Sequence, residues 1–210
     1  GIVVDGQRHW VCMDWGQTSI LYRTDLVDLE EESWGLLWDE RYTGRLAMID
    51  SLIDGVMVAA IYAGAANPYD MTPEEVARTR ELLREQLPLL RFYSNDMTSI
   101  QQALASGELV AAVVWNDSYT FLKREGHPVA FMNPKEGAMT WTCGIGLTPW
   151  AQDLDRSYDF IDAMLSLSAG VWEIMDWGLG HANKKAFEMV DGADLKDRGL
   201  PMPDDLEAFL

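Results

Sequence analysis

Short apolar runs that alternate with helical signals are the strongest constraint on what this chain can fold into. The runs are His9–Met13, Ile20–Tyr22, Arg45–Ile49, Leu89–Tyr93, Leu109–Trp115, Val129–Met132 and Thr142–Leu147. Strands interleaved with helices are the signature of α/β layering. The helical signals are specific. Thr72-Pro73-Glu74-Glu75 is a capping box with proline at the first helical position, and Val76, Leu83 and Leu87 follow on one face. Thr98–Ser106 reads as a short helix stopped by Gly107. Asp155 is expected to cap a helix that turns Tyr158, Ile161 and Leu165 inward, and Gly170–Trp177 reads as another helix, ended by Gly178.

Length and charge narrow the function. The 210 residues suffice for one large or two small domains. The formal charge is -18, from 34 acids against 16 bases. Nucleic acid is thereby excluded as the expected partner, since phosphate binding needs clustered Lys and Arg, and so is docking on anionic lipid. No stretch approaches the roughly 18 apolar residues of a membrane span. The opening Gly1-Ile2-Val3-Val4-Asp5-Gly6 has no signal-peptide pattern. The polar end, Asp191 to Leu210, stops within an apparent helix start at Pro203-Asp204-Asp205-Leu206, as a clipped chain would. Two cysteines, Cys12 and Cys143, give neither a disulfide scaffold nor a thiolate zinc site. His9, His127 and His181 lack metal-ligand spacing, and Gly64 and Gly107 look like helix stops, so neither a metal nor a cofactor is expected.

Two stretches carry more information than any propensity. One is Ser33-Trp34-Gly35-Leu36-Leu37-Trp38, followed by Arg41-Tyr42-Thr43-Gly44-Arg45-Leu46-Ala47-Met48-Ile49-Asp50. The other runs from Gly107-Glu108-Leu109-Val110-Ala111-Ala112-Val113-Val114-Trp115 to Asn133-Pro134-Lys135-Glu136-Gly137 and Trp141. In this order and spacing they resemble the spermidine/putrescine-binding proteins of ATP-driven importers, over nearly the whole chain. The resemblance implies an α/β, type II periplasmic-binding-protein fold: two lobes joined by two crossing strands, with the first lobe incomplete. Residues 1–23 and 140–210 would form the partial first lobe with the crossing strands, and residues 24–139 the second lobe. Family members carry a further segment ahead of the position of His9, so an exposed sheet edge and uncovered apolar surface are expected here.

The same resemblance implies a solute-binding component, periplasmic or extracellular and open to membrane tethering, that captures a polyamine or related amine in an interlobe cleft. It implies a membrane permease as partner and no enzymatic step. A polyammonium ligand needs carboxylates for its charged ends and aromatic faces for its methylenes. Asp50 and Asp54 stand at a strand-to-helix turn where the family's acids contact ligand nitrogens, although Ser51 stands where the polyamine proteins have an acid. Ser51-Leu52-Ile53-Asp54 is equally a capping pattern. Trp115 and Trp141 match two pocket tryptophans, each with a core role as its rival reading. Cys143 replaces an amine-gripping aspartate, and a pocket tyrosine near Leu179 is missing. A monoamine, an amino acid derivative or a quaternary amine therefore competes with the polyamines. Asp14 and Trp15 on the first crossing strand are candidates to compensate, unless Asp14 is merely exposed. Trp34, Trp38, Trp150, Trp172 and Trp177 read as core or lobe-packing residues. Cys12 and Cys143, on the two presumed crossing strands, are candidates for a disulfide stapling the hinge. The competing functions are an enzyme of the same two-lobe fold with a cleft cysteine and Asp14 or Asp50 as base, and a truncated remnant that binds nothing.

Overall fold

A computed structural model describes residues 3–205. In chain order the strands and helices begin with β1 (Val3–Val4), β2 (Gln7–Arg8), β3 (Val11–Arg23), β4 (Leu46–Ile49) and α1 (Leu52–Tyr62). There follow α2 (Pro73–Gln86), β5 (Leu90–Ser94), α3 (Met97–Ser106), β6 (Ala111–Trp115), α4 (Asn116–Arg124), β7 (Val129–Phe131) and β8 (Met139–Ile145). The chain continues with α5 (Leu154–Met164), α6 (Leu167–Trp172), β9 (Gly180–His181), α7 (Lys185–Glu188) and α8 (Gly192–Asp197). It divides into two compact units, Gly1–Gln17 with Thr140–Leu210, and Thr18–Met139. The expected strands His9–Met13 and Ile20–Tyr22 are one continuous element, β3, and the boundary between the units falls inside it.

The unit Thr18–Met139 is a mixed sheet in the order β5-β4-β6-β3-β7. Strand β4 runs parallel to both β5 and β6, whereas β3 is antiparallel to β6 and β7. Successive residues feed opposite faces, as a pleated strand requires. Ile20, Met48 and Val113 enter one core with Trp34, Leu37 and Val58. Leu21, Ala47 and Ala112 enter the other with Ile100, Leu104 and Leu122. A sheet buried on both faces needs unbroken apolar strands, which is why Leu109–Val114 contains no polar residue.

The two motifs behind the family resemblance meet in this unit and hold each other. The Trp34 indole N–H donates to the Gly137 carbonyl at 2.8 Å, and the Trp34 amide donates to Glu136 Oε2 at 3.2 Å. Glu136 also accepts from the Ser33 hydroxyl. Trp38 donates to the Leu82 carbonyl at 2.8 Å and stacks on Tyr62 at 4.6 Å. Gly35 suits that packing, because a Cβ there would lie 3.1 Å from the Tyr62 ring, a tight contact that the ring would have to yield to. Helix α2 starts with the expected box: Thr72 accepts from the Glu75 amide, and Glu75 accepts from the Thr72 amide.

In the other unit, β8 and β9 pair with β3, with Asp14 opposite His181 and Trp15 opposite Gly180. Its core gathers Trp15, Ile174, Ala186, Phe187, Val190, Leu195 and Leu200. Trp15 stacks on Phe187 at 6.1 Å, and a Cβ on Gly180 would fall 1.9 Å from its indole. After α6 the chain widens into a π-helical turn, Glu173–Trp177, closed by the left-handed Gly178 (φ 71°). Such turns rotate side chains off the α-helical stripe and recur at functional sites.

Several expectations need correcting here. The cap of α5 is Asp153, whose carboxylate accepts from the Arg156 amide at 3.1 Å; Asp155 lies in the first turn, where its charge suits the helix dipole. Tyr158 is exposed and not turned inward, and Ile161 and Leu165 are only half-buried. Trp150, Trp172 and Trp177 are likewise largely exposed, whereas Trp34 is fully buried. Cys12 and Cys143 are free thiols, not a disulfide. At the chain's end, Pro203–Asp205 forms a 3-10 turn and Leu206 lies outside the described residues.

Candidate functional site

In the unit Thr18–Met139, parallel strands β4 and β6 end at the same edge of the sheet. Their register pairs Met48 with Val113, so Asp50 and Trp115, each two residues further on, stand level with one another. Open α/β sheets present ligands at such carboxyl ends. Trp115 keeps 37% of its surface exposed after four fully buried strand residues. Asp50 is exposed, and its amide donates to the Ser94 carbonyl at 3.0 Å, which ties the turn to β5. Ser51 caps α1 by accepting from the Asp54 amide at 3.3 Å, so the capping reading of Ser51 and Asp54 holds. Capping occupies the serine hydroxyl and the Asp54 backbone, leaving the Asp54 carboxylate on the first turn of α1. Asp50 also acts on its surroundings: burial first, and then the Asp50 charge, push the Tyr93 phenol above its usual range. The first turn of α1 also exposes Leu52 (85%) and Ile53 (73%), an apolar rim beside the two acids.

In the other unit a second polar group gathers around β3. Cys12 and Asp14 lie two residues apart on one face of that strand, and Trp141 and Cys143 two apart on its partner β8. Asp14 is 6% exposed, and its Oδ1 has no hydrogen-bond partner. Asp14 is thus buried, which removes the reading of it as a merely exposed acid. The exposed Cys143 thiol is hydrogen-bonded to the Asp14 carboxylate. Burial, followed by that hydrogen bond and the neighbouring negative charge, pushes the thiol up to about 11. Cys12 is raised as well, by burial and then by Asp14. Trp15, the adjacent candidate, points to the opposite face and into the core against Phe187. Its place is structural, because strand alternation cannot put Asp14 and Trp15 on one surface.

Sequence reasoning missed two members of this group. Glu173, first residue of the π turn, is 8% exposed and hydrogen-bonded to Asp14. Burial, and then the Asp14 charge, push its carboxyl up to about 7. His181 is fully buried and neutral: its Nδ1 accepts from the Asn183 amide at 3.0 Å, which leaves Nε2–H to donate to the Met164 carbonyl, also at 3.0 Å. The Glu173 Oε2 lies 3.8 Å from that Nε2. A signal for Glu173 did exist, since it falls between Gly170 and Ile174 on the inward stripe of the expected helix, where an unpaired acid is costly. No group of three His, Cys, Asp or Glu among the described residues is arranged to hold a metal ion.

Comparison with known proteins agrees with this architecture. A profile of the bacterial extracellular solute-binding proteins matches residues 2–199, and the chain belongs to that family. The putrescine/agmatine-binding protein of Pseudomonas aeruginosa is 27% identical over 203 residues, covering 89% of this chain and 54% of the relative. The spermidine/putrescine-binding periplasmic protein of Escherichia coli is 26% identical over 153 residues, 72% of this chain and 43% of the relative. Among solved structures, a putative spermidine/putrescine ABC transporter protein from Listeria monocytogenes superimposes with a TM-score of 0.84 at 20% identity, covering 95% of this chain and 62% of that one. The fold is therefore that of the periplasmic binding proteins, and the chain spans about half the length of the curated relatives it matches.

Proposed function

We propose that this chain belongs to the solute-capturing component of an ABC-type importer, binds a small amine-bearing molecule and delivers it to a membrane permease outside the cytoplasm. We take the unit Thr18–Met139 as its second lobe and the other unit as part of its first. The observation that supports the reading best is the level placement of Asp50 and Trp115 at the carboxyl edge of β4 and β6, with Asp54 one turn into α1. A carboxylate beside an indole face suits an aliphatic ammonium, which takes charge from the one and cation–π attraction of about 0.5–2 kcal/mol from the other. Relatives named for putrescine, agmatine and spermidine support the amine class, and a relative named as periplasmic supports the location. The described residues include no helix long and apolar enough to cross a membrane.

The rival reading, an enzyme with a cysteine nucleophile, needs a thiolate at neutral pH. Cys12 and Cys143 are both shifted the other way, towards the inert thiol, so the structure favours binding over chemistry. The test is a thermal-shift and tryptophan-fluorescence screen with putrescine, agmatine, spermidine, betaines and amino acids. An amine should raise the midpoint by mass action, and Trp115→Ala should abolish both responses. If no amine moves the midpoint, or the Trp115→Ala protein responds like the wild type, the reading fails.

A further inference from the structure

The acidic group on β3 has a feature that packing does not explain. Asp14 is buried with one carboxylate oxygen unpartnered, and a second buried carboxyl, Glu173, stands against it. Two carboxyls pressed together out of water cannot both ionise cheaply, so the pair holds a proton. An unpartnered buried acceptor is destabilising. A cation can take the place of the proton that such a buried carboxyl pair shares.

Resting on the reading of the chain as an amine-binding component, we propose that Asp14 and Glu173 form an ammonium subsite of this unit that exchanges its proton for a primary ammonium group. The ammonium brings three N–H donors, enough for the free Asp14 Oδ1 and for Glu173. Exposed Cys143, directly hydrogen-bonded to Asp14, marks the side from which a ligand arrives. Trp141, on the same face of β8 and two residues away, offers an indole to the methylenes that follow the ammonium. The remaining groups facing the pair are neutral: the Cys12 and Cys143 thiols are held protonated, and both His181 nitrogens are committed. A divalent metal is not the occupant, since no described trio of ligating side chains is arranged for one.

The charge balance is simple. Before binding, the two carboxyls share one proton and carry one negative charge between them. On binding, Glu173 gives its proton to solvent, and the two carboxylates with one ammonium again carry one negative charge. The site's net charge is conserved, which keeps the exchange affordable in a buried place.

The test is calorimetric titration of the chain with putrescine at pH 6 and pH 8, in two buffers of different ionisation enthalpy, for wild type, Glu173→Gln and Asp14→Asn. With Glu173 titrating at about 7, affinity should rise about tenfold from pH 6 to pH 8, with close to one proton released per ligand at pH 6 and almost none at pH 8. Glu173→Gln should bind with no pH slope and release no proton, and Asp14→Asn should lose most of its affinity. A wild type that binds equally at both pH values, or a Glu173→Gln protein that keeps the slope, overturns this subsite while leaving the solute-binding reading intact. Failure of the wild type to bind at either pH overturns both.

Discussion

The Glu173 carboxyl offers the sharpest stability prediction, because it concerns the unliganded protein. Its pKa moves from 4.5 to about 7 on folding, driven first by burial and then by the Asp14 charge. Each pH unit of such displacement is worth 1.36 kcal/mol, so folding with Glu173 ionised costs about 3 kcal/mol more than folding with it protonated. The sign follows from proton counting. Between 4.5 and 7 the native state binds more protons than the unfolded chain, so stability is fullest below 4.5 and falls as pH rises through 7. Integrated over the window from pH 5.5 to pH 8.5, the loss is about 2 kcal/mol. The perturbation is Glu173→Gln, which keeps the shape and the hydrogen bond to Asp14 but cannot ionise. Urea unfolding at the two pH values should show wild type losing about 2 kcal/mol more than the variant over that window. If both proteins lose the same amount, Glu173 is not the buried proton carrier, and the account of the Asp14 cluster is wrong.

Two further substitutions probe the fold. Gln86 is fully buried at the end of α2 with neither its amide nitrogen nor its oxygen hydrogen-bonded, so Gln86→Met should stabilise the protein by about 1 kcal/mol in thermal or urea unfolding. A destabilised variant would mean that the amide has a partner in solution. Gly180→Ala drives a methyl to within 1.9 Å of the buried Trp15 indole, and should cost at least about 2 kcal/mol or prevent folding. A variant of wild-type stability would refute the close approach of β9 to Trp15.

How far the sequence was legible depended on whether the signal was local. The β6 run and the Thr72 capping box could be read directly, since a doubly buried strand must be apolar and a helix start must satisfy its own amides. The ends of β8 could not: its residues are mostly exposed, so the expected strand Thr142–Leu147 begins three residues late and ends two residues late against the observed Met139–Ile145. The cap of α5 was misplaced for a related reason, since Asp153 and Asp155 are both competent acids, and only the backbone geometry at Asp153 decides between them. Trp34 and Glu136 show the opposite case. Their residues were visible as motifs, but that they hydrogen-bond to each other across a hundred residues is a tertiary fact no spacing predicts.

The Asp14 cluster joins these two kinds of information. Strand periodicity already implies that Asp14 and Trp15 face opposite ways, so one of the two had to be core. The core takes Trp15, which stacks on Phe187 and lies so close to Gly180 that a Cβ there would fall 1.9 Å from the indole. That choice commits Asp14 to the other face, towards Cys143 on β8. An α-helix continued past Trp172 would carry a regular inward stripe; the π turn beginning at Glu173 brings an acid to an acid instead. A stripe that served packing alone would place an apolar residue at that position, as it does next door at Ile174. A carboxyl pair that shares one proton in the dry part of a small unit is the arrangement the proposed exchange for an ammonium requires.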